Sequence, residues 1–372
     1  MVVDVQTMMG HVRSLNSISP LAGDHRPAFR VALGIAVPSM VLVALGHPEL
    51  VIYAVLGAFT GMYGRTEPHQ LRLPHQIQAG LFLLAAVTIG STLSVLHLGP
   101  WWLVAVQTAF ATLGSLFCDK VQLRPNGPFF GILALGACAS VPVTIPLYQV
   151  VLICAGSAAF SVLVGFSGWL RSRAWSPGAV RVRVPWTEGM RRDAMVHAGR
   201  HLAAVGVAGV VAVLSGIGHP HWAMAAAAVP LAGADMPSSV HRGIHRIVGT
   251  FLGLAVVALI LFPGPLSPMQ YFPGREALVL AAIVVLCQFP TEMFMLRHYG
   301  LAMVFFTPVI LLMAQLAMPV DPVRLVVDRG AETVIGAVVG IAAVVLVRRQ
   351  RRRPQAPSSA STSASDVWPK SL

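Results

Sequence analysis

Three ionisable residues lie close together in an otherwise apolar segment near the end of the chain. Asp328 and Glu332 are four residues apart, so a helix would place them on one face, and Arg329 would reach Glu332 across three residues. An ionisable side chain near the centre of a bilayer costs roughly 2.5–3.5 kcal/mol, and such residues usually face a cavity or a partner. Two interpretations stay open. The residues form a local ion pair that closes the outer end of a helix bundle, or Arg329 contacts an anion while Glu332 or Asp328 couples its movement to a proton.

Arg246 and Arg329 stand in similar sequence patterns. Arg246 is followed four residues later by Thr250, as Arg329 is followed by Thr333, and in both places a glycine stands three residues further on. Residues four apart share a helix face, and glycine lets helices approach closely. The pattern is consistent with helix packing plus an interfacial arginine. It also predicts two cationic contacts for an organic anion, with Arg246 at the cytoplasmic mouth and Arg329 at the outer one.

Two further features supply weaker candidates. His219, His221 and Trp222 surround a proline at the start of a short apolar run. Proline suits a first helical turn and Trp suits the membrane interface, so turn chemistry explains this motif, although a titrating histidine is the functional alternative. Tyr299 begins another apolar segment, in which Thr307 precedes a proline. A proline frees a backbone carbonyl and kinks the helix, which predicts a hydroxyl-lined pathway, unless Thr307 bonds back to its own helix.

Several enzyme classes find no support in the sequence. The chain has two lysines, Lys120 and Lys370, and neither follows a glycine-rich phosphate-binding loop. No H-E-x-x-H zinc motif and no G-x-S-x-G nucleophile elbow occurs. The four cysteines fit no metal or redox spacing and are predicted to be buried free thiols. We therefore expect a protein that is not an enzyme and that has no metal site and no cofactor.

The elements that position these residues are membrane helices. Hydrophobic residues make up 56% of the chain and charged residues 11%, with a mean hydropathy of +0.73. A soluble domain has roughly 25% charged residues, and a spanning helix needs about 17–25 apolar ones. The composition predicts an all-α polytopic membrane protein of about twelve spans. The candidate segments are 29–46, 50–63, 76–97, 100–118, 129–146, 148–170, 197–217, 221–234, 241–262, 275–290, 298–318 and 325–347, of which 50–63 and 221–234 are short.

The basic residues predict the orientation. With both termini in the cytoplasm, all but Arg275, Arg324 and Arg329 of the 26 lysines and arginines fall on the inner side. The net charge of +12 is thus a signal of topology and not of nucleic-acid binding. We expect a multi-pass protein of the inner (plasma) membrane, with membrane lipids around it.

A duplication organises the chain. Gly46-His47-Pro48 recurs as Gly218-His219-Pro220, 172 residues later, and residues 72–77 match residues 242–247 in three of six positions. Because each half contains six segments, both copies enter the membrane in the same direction, which predicts two parallel six-helix repeats. The predicted regions are a cytoplasmic segment 1–25, a first repeat 26–170, a basic cytoplasmic linker 171–196, a second repeat 197–350 and a disordered cytoplasmic tail 351–372.

The motifs resemble those of the fusaric acid resistance (FUSC) family. Four short motifs in the second half and a looser one in the first carry the likeness, namely His219–Trp222, Arg246–Gly253, Tyr299–Pro308, Arg329–Gly336 and Tyr53–Arg65. His298 stands where the family has asparagine, and the soluble domain of many members is missing, which leaves partner proteins and regulation open.

The resemblance implies an exporter of aromatic or other organic acids, driven by the proton gradient, with a small organic anion as substrate. A passive organic-anion channel and a non-transporting scaffold for envelope assembly remain alternatives, and the sequence leaves a homo-oligomer open. A water-accessible space between the halves would favour transport. A dry apolar interface there would favour the scaffold.

Overall fold

The structure is a computed structural model that describes residues 25–172, 185–216, 218–233 and 236–346. These residues form twelve α-helices and no strand. In chain order the helices are α1 (His25–Ala44), α2 (Val51–Ala58), α3 (His69–Val95), α4 (Pro100–Val121), α5 (Phe129–Ser140), α6 (Leu147–Ser172), α7 (Glu188–Leu214), α8 (Pro220–Leu231), α9 (Met236–Leu261), α10 (Glu276–Phe294), α11 (Tyr299–Ala317) and α12 (Pro322–Leu346). The predicted all-α class is confirmed for the described residues.

Nine of these helices are long and apolar enough to cross a membrane, so the chain is a multi-pass membrane protein. Their outward faces carry large apolar side chains such as Leu81, Leu163 and Leu286, as a lipid-facing surface requires. The other three, α2, α5 and α8, are shorter. Twelve residues in α5 and in α8 correspond to about 18 Å, against a hydrocarbon core of about 30 Å. The sequence predicted about twelve spans and left open whether 50–63 and 221–234 cross fully. The described helices include nine of full length, and 129–146 joins the short ones.

The predicted segment 129–146 ends early. Helix α5 stops at Ser140, and Val141 is extended with φ −108° and ψ 131°. Val141 precedes Pro142, and the proline ring disfavours a helical conformation in the residue before it. Hydrophobicity alone therefore overestimated this helix by about a turn and a half.

Helix α7 begins earlier than the sequence predicted, at Glu188 instead of 197, inside the predicted linker. The Thr187 hydroxyl accepts a hydrogen bond from the Met190 backbone N–H, and Glu188 lies in the positive first turn. These are the usual stabilising features of a helix start, and they outweigh the low hydropathy of the first turns. The predicted segment 1–25 (but for residue 25), the middle of the linker (173–184) and the tail lie outside the described residues.

The two halves of the chain meet along matching helices. Helix α10 packs on α1 and α4 packs on α7, while the short helices pair as α2 with α11 and α5 with α8. Inside the halves, α2 packs on α6 as α8 packs on α12, and α3 packs on α5 as α9 packs on α11. The short helices α2 and α8 are buried along their whole length. The middle of the bundle is thus built from short helices surrounded by long ones.

Small residues bring the helices of the second half together. A side-chain carbon added at Gly249 would collide with the backbone carbonyl of Gly300 in α11, and one at Gly253 would lie 2.6 Å from Thr307 Cβ. Gly336 of α12 contacts the backbone of the alanine-rich helix α8 in the same way. Backbones can approach this closely only where side chains are small. This packing fixes α8, α9, α11 and α12 as one unit, and these helices hold the predicted site residues.

Candidate functional site

Arg329 lies inside the protein against an aromatic ring. Its side chain is 3% exposed, and its guanidinium carbon lies 4.3 Å from the centre of the Trp222 ring, in helix α8. The Nε and Nη1 atoms have no hydrogen-bond partner. A buried guanidinium normally has most of its five N–H groups bonded, because each unpaired one costs about 1–3 kcal/mol. Arg329 therefore presents unused donors in a buried position.

Arg246 has a similar environment. It is 1% exposed, its guanidinium carbon lies 5.4 Å from the centre of the Phe129 ring, and Nη1 donates to Met303 Sδ at 2.9 Å. Its Nε has no partner. A thioether sulfur is a weak acceptor, so this contact satisfies the cation only in part. Each of the two buried arginines thus faces an aromatic ring that belongs to another helix.

The two arginines that were predicted to stand at opposite mouths are both buried inside the bundle. Arg246 lies ten residues after the start of α9 and Arg329 seven residues after the start of α12, about 15 Å and 10 Å along their helices. The two side chains are close enough for their charges to act on one another. Gly330 packs beside Phe251 and Leu254 of α9, which brings the two helices side by side at this level. Both arginines are therefore buried groups on two adjacent helices and not exposed posts.

Glu332 lies on the same helix as Arg329. It is fully buried, and neither carboxyl oxygen has a hydrogen-bond partner. The carboxyl group faces the backbone of His219 and lies within electrostatic range of Arg329 and Asp328. The predicted local ion pair of Arg329 with Glu332 is therefore not formed as a direct contact. Asp328 instead approaches His219, with Oδ2 3.7 Å from Nδ1.

The threonines of the pattern divide into two kinds. Thr307 and Thr333 each donate to the backbone carbonyl four residues earlier, that of Met303 and that of Arg329, at 2.8 Å. This is the local bond that we had considered for Thr307. The Thr250 hydroxyl is buried without a partner. Of the three, Thr250 is the one with a hydroxyl left for another group.

Tyr299 lies at the start of α11. Its ring has the Arg242 guanidinium carbon 5.6 Å from its centre, and it lies within electrostatic range of Arg329. The residue before it, His298, caps the helix, because its Nδ1 accepts a hydrogen bond from the Leu301 backbone N–H at 3.0 Å. An imidazole nitrogen thus fills the capping role that an asparagine oxygen usually has.

The weaker candidates form the outer part of the site. His221 Nδ1 lies 2.8 Å from the Ser140 hydroxyl in α5, and the His219 and His221 rings are 6.0 Å apart. A cavity of about 30 Å³ lies between these residues, Trp222 and Gln315. Burial lowers the pKa of His219, and the nearby Asp328 carboxylate opposes that shift. The structure therefore brings His219, His221, Trp222, Asp328, Arg329 and Glu332 to one end of the second half.

An aromatic cluster lies where the halves meet. Phe59, Phe129, Phe130 and Phe306 come from both halves, with ring centres 5.1–6.5 Å apart. Edge-on and tilted contacts of this kind are favourable packing. Arg246 stands over Phe129 at the edge of the cluster. The centre of the bundle is therefore apolar and packed, with the cations beside it.

Sequence reasoning missed one buried ion pair. Arg65, in the turn between α2 and α3, bonds to the carboxylate of Glu292 in α10, whose other oxygen accepts from Gln288 Nε2 at 3.1 Å. Arg30 in α1 donates to the Arg65 carbonyl oxygen at 3.0 Å. The predicted segment stopped at residue 290, so Glu292 lay just outside it. A test for an acidic residue within one turn of a predicted helix end would have found it.

A second missed contact lies at the other junction of the halves. His197 Nδ1 in α7 lies 2.9 Å from Asp119 Oδ2 in α4, and His197 Nε2 lies 3.2 Å from the Leu231 carbonyl oxygen. A cavity of about 780 Å³ opens beside this pair. Its polar lining includes Asp119, Gln122, Asn126, Asp193, His197, Arg200 and Ser239. None of the residues predicted from the sequence lines this larger cavity.

The described residues contain no group of three or more His, Cys, Asp or Glu side chains that could hold a metal ion. The four cysteines are free, and three of them are buried. The chemistry of the site therefore depends on the arginines, the carboxyl groups and the histidines.

Comparison with known proteins concerns the second half. Residues 207–343 match the family model described as fusaric acid resistance protein-like. This part of the chain is similar to that family, and the predicted resemblance is confirmed over it. Neither the curated proteins nor the solved structures gave a match. The matched residues run from within α7 to within α12 and include all the predicted site residues, whereas the first half lies outside them.

Proposed function

We propose that the protein is a proton-coupled exporter of organic anions, aromatic acids among them, in the plasma membrane. The observation that carries the proposal is the pair of buried arginines, Arg246 and Arg329, with unpaired N–H groups beside aromatic rings. The similarity of residues 207–343 to the fusaric acid resistance family and the nine apolar helices support it.

The chemistry around the two arginines fits a carboxylate with an aromatic ring. A guanidinium donates two parallel hydrogen bonds to a carboxylate, and such charge-assisted bonds are roughly twice as strong as neutral ones. Trp222 and Phe129, each beside one arginine, offer flat apolar surfaces for a ring of the ligand. Thr250 adds a hydroxyl without a partner. Anion and ring would therefore be recognised by different side chains of one site.

Glu332 supplies the proposed coupling. When ionised, it weakens the attraction of Arg329 for an anion, and when protonated it leaves the full charge of Arg329 available. Anion binding and protonation of Glu332 therefore favour each other, so that a monovalent anion and a proton would cross in the same direction. Export would then run down the gradient of the anion itself, against an inward proton gradient. A lumenal pH dye in proteoliposomes would show this as proton movement in the direction of the anion. Movement in the opposite direction would show that Glu332 is not the coupling group.

The architecture proposed with this function is a pair of parallel six-helix repeats with both termini in the cytoplasm. The matching contacts of α1 with α10 and of α7 with α4 support a two-fold relation along the membrane normal. The same relation holds for the short helices, α2 with α11 and α8 with α5. The site lies on the second half's side of this junction.

The proposal is tested with purified protein in proteoliposomes and a panel of fusaric acid, benzoate and naphthalene-1-sulfonate. Removing one charged hydrogen bond costs about 1.5–3 kcal/mol, so Arg329→Ala and Arg246→Ala should each slow efflux about ten- to a hundred-fold. Arg275→Ala, which removes an exposed arginine immediately before α10, is the matched control. Unchanged efflux in both Arg329→Ala and Arg246→Ala would refute the proposal.

A non-transporting membrane scaffold is the second candidate. The packed phenylalanines where the halves meet favour it, because the described apolar contact there needs no opening to be stable. Bilayer recordings and flux measurements on the same preparation separate the possibilities. Currents that reverse at the anion equilibrium potential without proton movement would indicate a channel. Absence of flux and current for the whole panel would favour the scaffold.

A further inference from the structure

We propose that His219 and Asp328 form the proton route between Glu332 and the outer aqueous side. The route is built on the second copy of the Gly-His-Pro turn. This inference rests on the proposed function, because it gives a path to the carboxyl group that couples the anion to the proton.

The three groups lie in order of depth. His219 and Asp328 have 21% and 22% of their side chains exposed, and their Nδ1 and Oδ2 atoms are 3.7 Å apart. Glu332 lies one turn further along α12, fully buried, with its carboxyl group facing the His219 backbone. Asp328 and Glu332 share a helix face. A proton at the partly exposed pair is therefore within one helical turn of the buried carboxyl group.

A small cavity with a few polar side chains in a mostly apolar lining adjoins this arrangement. About 30 Å³ of space lies between His219, His221, Ser140 and Gln315. A buried water needs roughly 10–15 Å³ of this kind of volume, so the space suits about two waters with polar partners. The Ser140 hydroxyl lies 2.9 Å from the Gly136 carbonyl oxygen, to which it donates, and so it accepts from His221 Nδ1 at 2.8 Å. That leaves Nε2 of His221 as a proton acceptor.

The charges around His219 suit a group that passes a proton on. Asp328 and Arg324 on α12 act on it with opposite signs, and His221 is its neighbour on α8. Burial lowers the pKa of His219. The neutral imidazole is therefore the resting form near neutral pH, and the Asp328 carboxylate stabilises the transient charged form.

The first copy of the turn lacks these partners. His47 is mostly exposed, and its Nδ1 lies 3.1 Å from Glu49, two residues away. The matching span of the first half has Val151 and Ala155 where the second has the two acids. The Gly-His-Pro turn thus occurs twice in the chain, once beside a buried carboxyl group and once without one. His47→Gln is therefore a matched control for His219→Gln.

The experiment uses the full chain in proteoliposomes, naphthalene-1-sulfonate as a permanently charged probe and a pH dye in the lumen. Net flux down a probe gradient requires the proton to enter and leave, whereas exchange of probe at equal concentration does not. We expect His219→Gln to slow net flux and its proton movement at least about ten-fold, the lower range of a lost proton-transfer group. Exchange should stay near the wild-type rate. Asp328→Asn should show a smaller loss of the same kind, and His47→Gln none.

Three results would overturn the inference. Wild-type proton movement in His219→Gln would show that the proton takes another route. Loss of exchange together with net flux would show a structural role for His219. An equal loss in His47→Gln would show that the turn itself, and not its partner acid, matters. If the wild type neither exchanges the probe, benzoate or fusaric acid nor moves protons with them, the proposed function itself fails.

Discussion

The two junctions between the halves of the molecule are held by different chemistry. Where α1 meets α10, the pair is Arg65 with Glu292, a guanidinium and a buried carboxylate. Where α4 meets α7, the pair is Asp119 with His197, about one quarter exposed and next to the larger cavity. One junction is thus held by a buried ion pair, and the other by a partly exposed contact beside a cavity.

The difference indicates where the bundle would open. The His197–Asp119 contact is partly exposed and a cavity of about 780 Å³ opens beside it, whereas Arg65 and Glu292 are buried. We expect relative movement of the halves at the α4–α7 junction, with the α1–α10 junction as the stable side.

The largest expected effect comes from breaking the buried ion pair. Glu292→Ala leaves the Arg65 charge buried without its partner, which should cost about 3–5 kcal/mol of unfolding free energy. Denaturant unfolding in detergent micelles, followed by tryptophan fluorescence, measures this cost. The double variant Arg65→Gln with Glu292→Gln should recover part of it, because no unpaired charge remains. A Glu292→Ala protein as stable as the wild type would remove the distinction between the two junctions.

A smaller effect is expected at the other junction. Asp119→Asn breaks a pair that is partly exposed, and such pairs contribute no more than about 1 kcal/mol. The same unfolding measurement should therefore place this variant close to the wild type. Transport should respond more than stability does, because the contact is part of the side proposed to move. A loss of stability as large as that of Glu292→Ala would mean that both junctions are rigid.

The smallest effect concerns acid sensitivity away from both junctions. Because burial lowers the folded-state pKa of His219, protonation favours the unfolded chain. Stability from this residue is complete above the unfolded pKa of about 6.5 and declines as the pH falls below it. His219→Gln should thus flatten the fall in unfolding midpoint between pH 7 and pH 5. His47→Gln should leave that slope unchanged, and a steeper slope in His219→Gln would contradict the argument.

Much of the fold follows from hydropathy, because a membrane helix must be apolar over its whole length. The nine long helices correspond to predicted segments for that reason. Where the prediction failed, local backbone chemistry decided. Pro142 ended α5, and the Thr187 cap began α7 earlier than its hydropathy indicated.

The site was predicted less completely. Arg246, Arg329 and Glu332 were identified as candidates because they are ionisable residues within apolar segments. Such residues are costly to place in a membrane and usually face a cavity or a partner. Their depth and mutual distance depend on how helices pack, and spacing along one helix does not contain that information. Glu292 and Asp119 lie near helix ends, where carboxylates are common and do not by themselves indicate a buried contact. Their partners, Arg65 and His197, come from the other half of the chain.

The short central helices also bear on the electrical properties of the protein. Helices α5 and α8 have twelve residues each, about 18 Å, between long helices that match the full hydrocarbon thickness. A transmembrane voltage falls mainly across the low-dielectric part of a structure. Moving one elementary charge through a potential difference of 100 mV changes its free energy by about 2.3 kcal/mol, whatever the thickness over which the potential falls. Where water fills the space beyond the ends of these short helices, the field near Trp222 and Arg329 is concentrated, and displacement of a charge there by a few ångströms should make turnover depend on voltage.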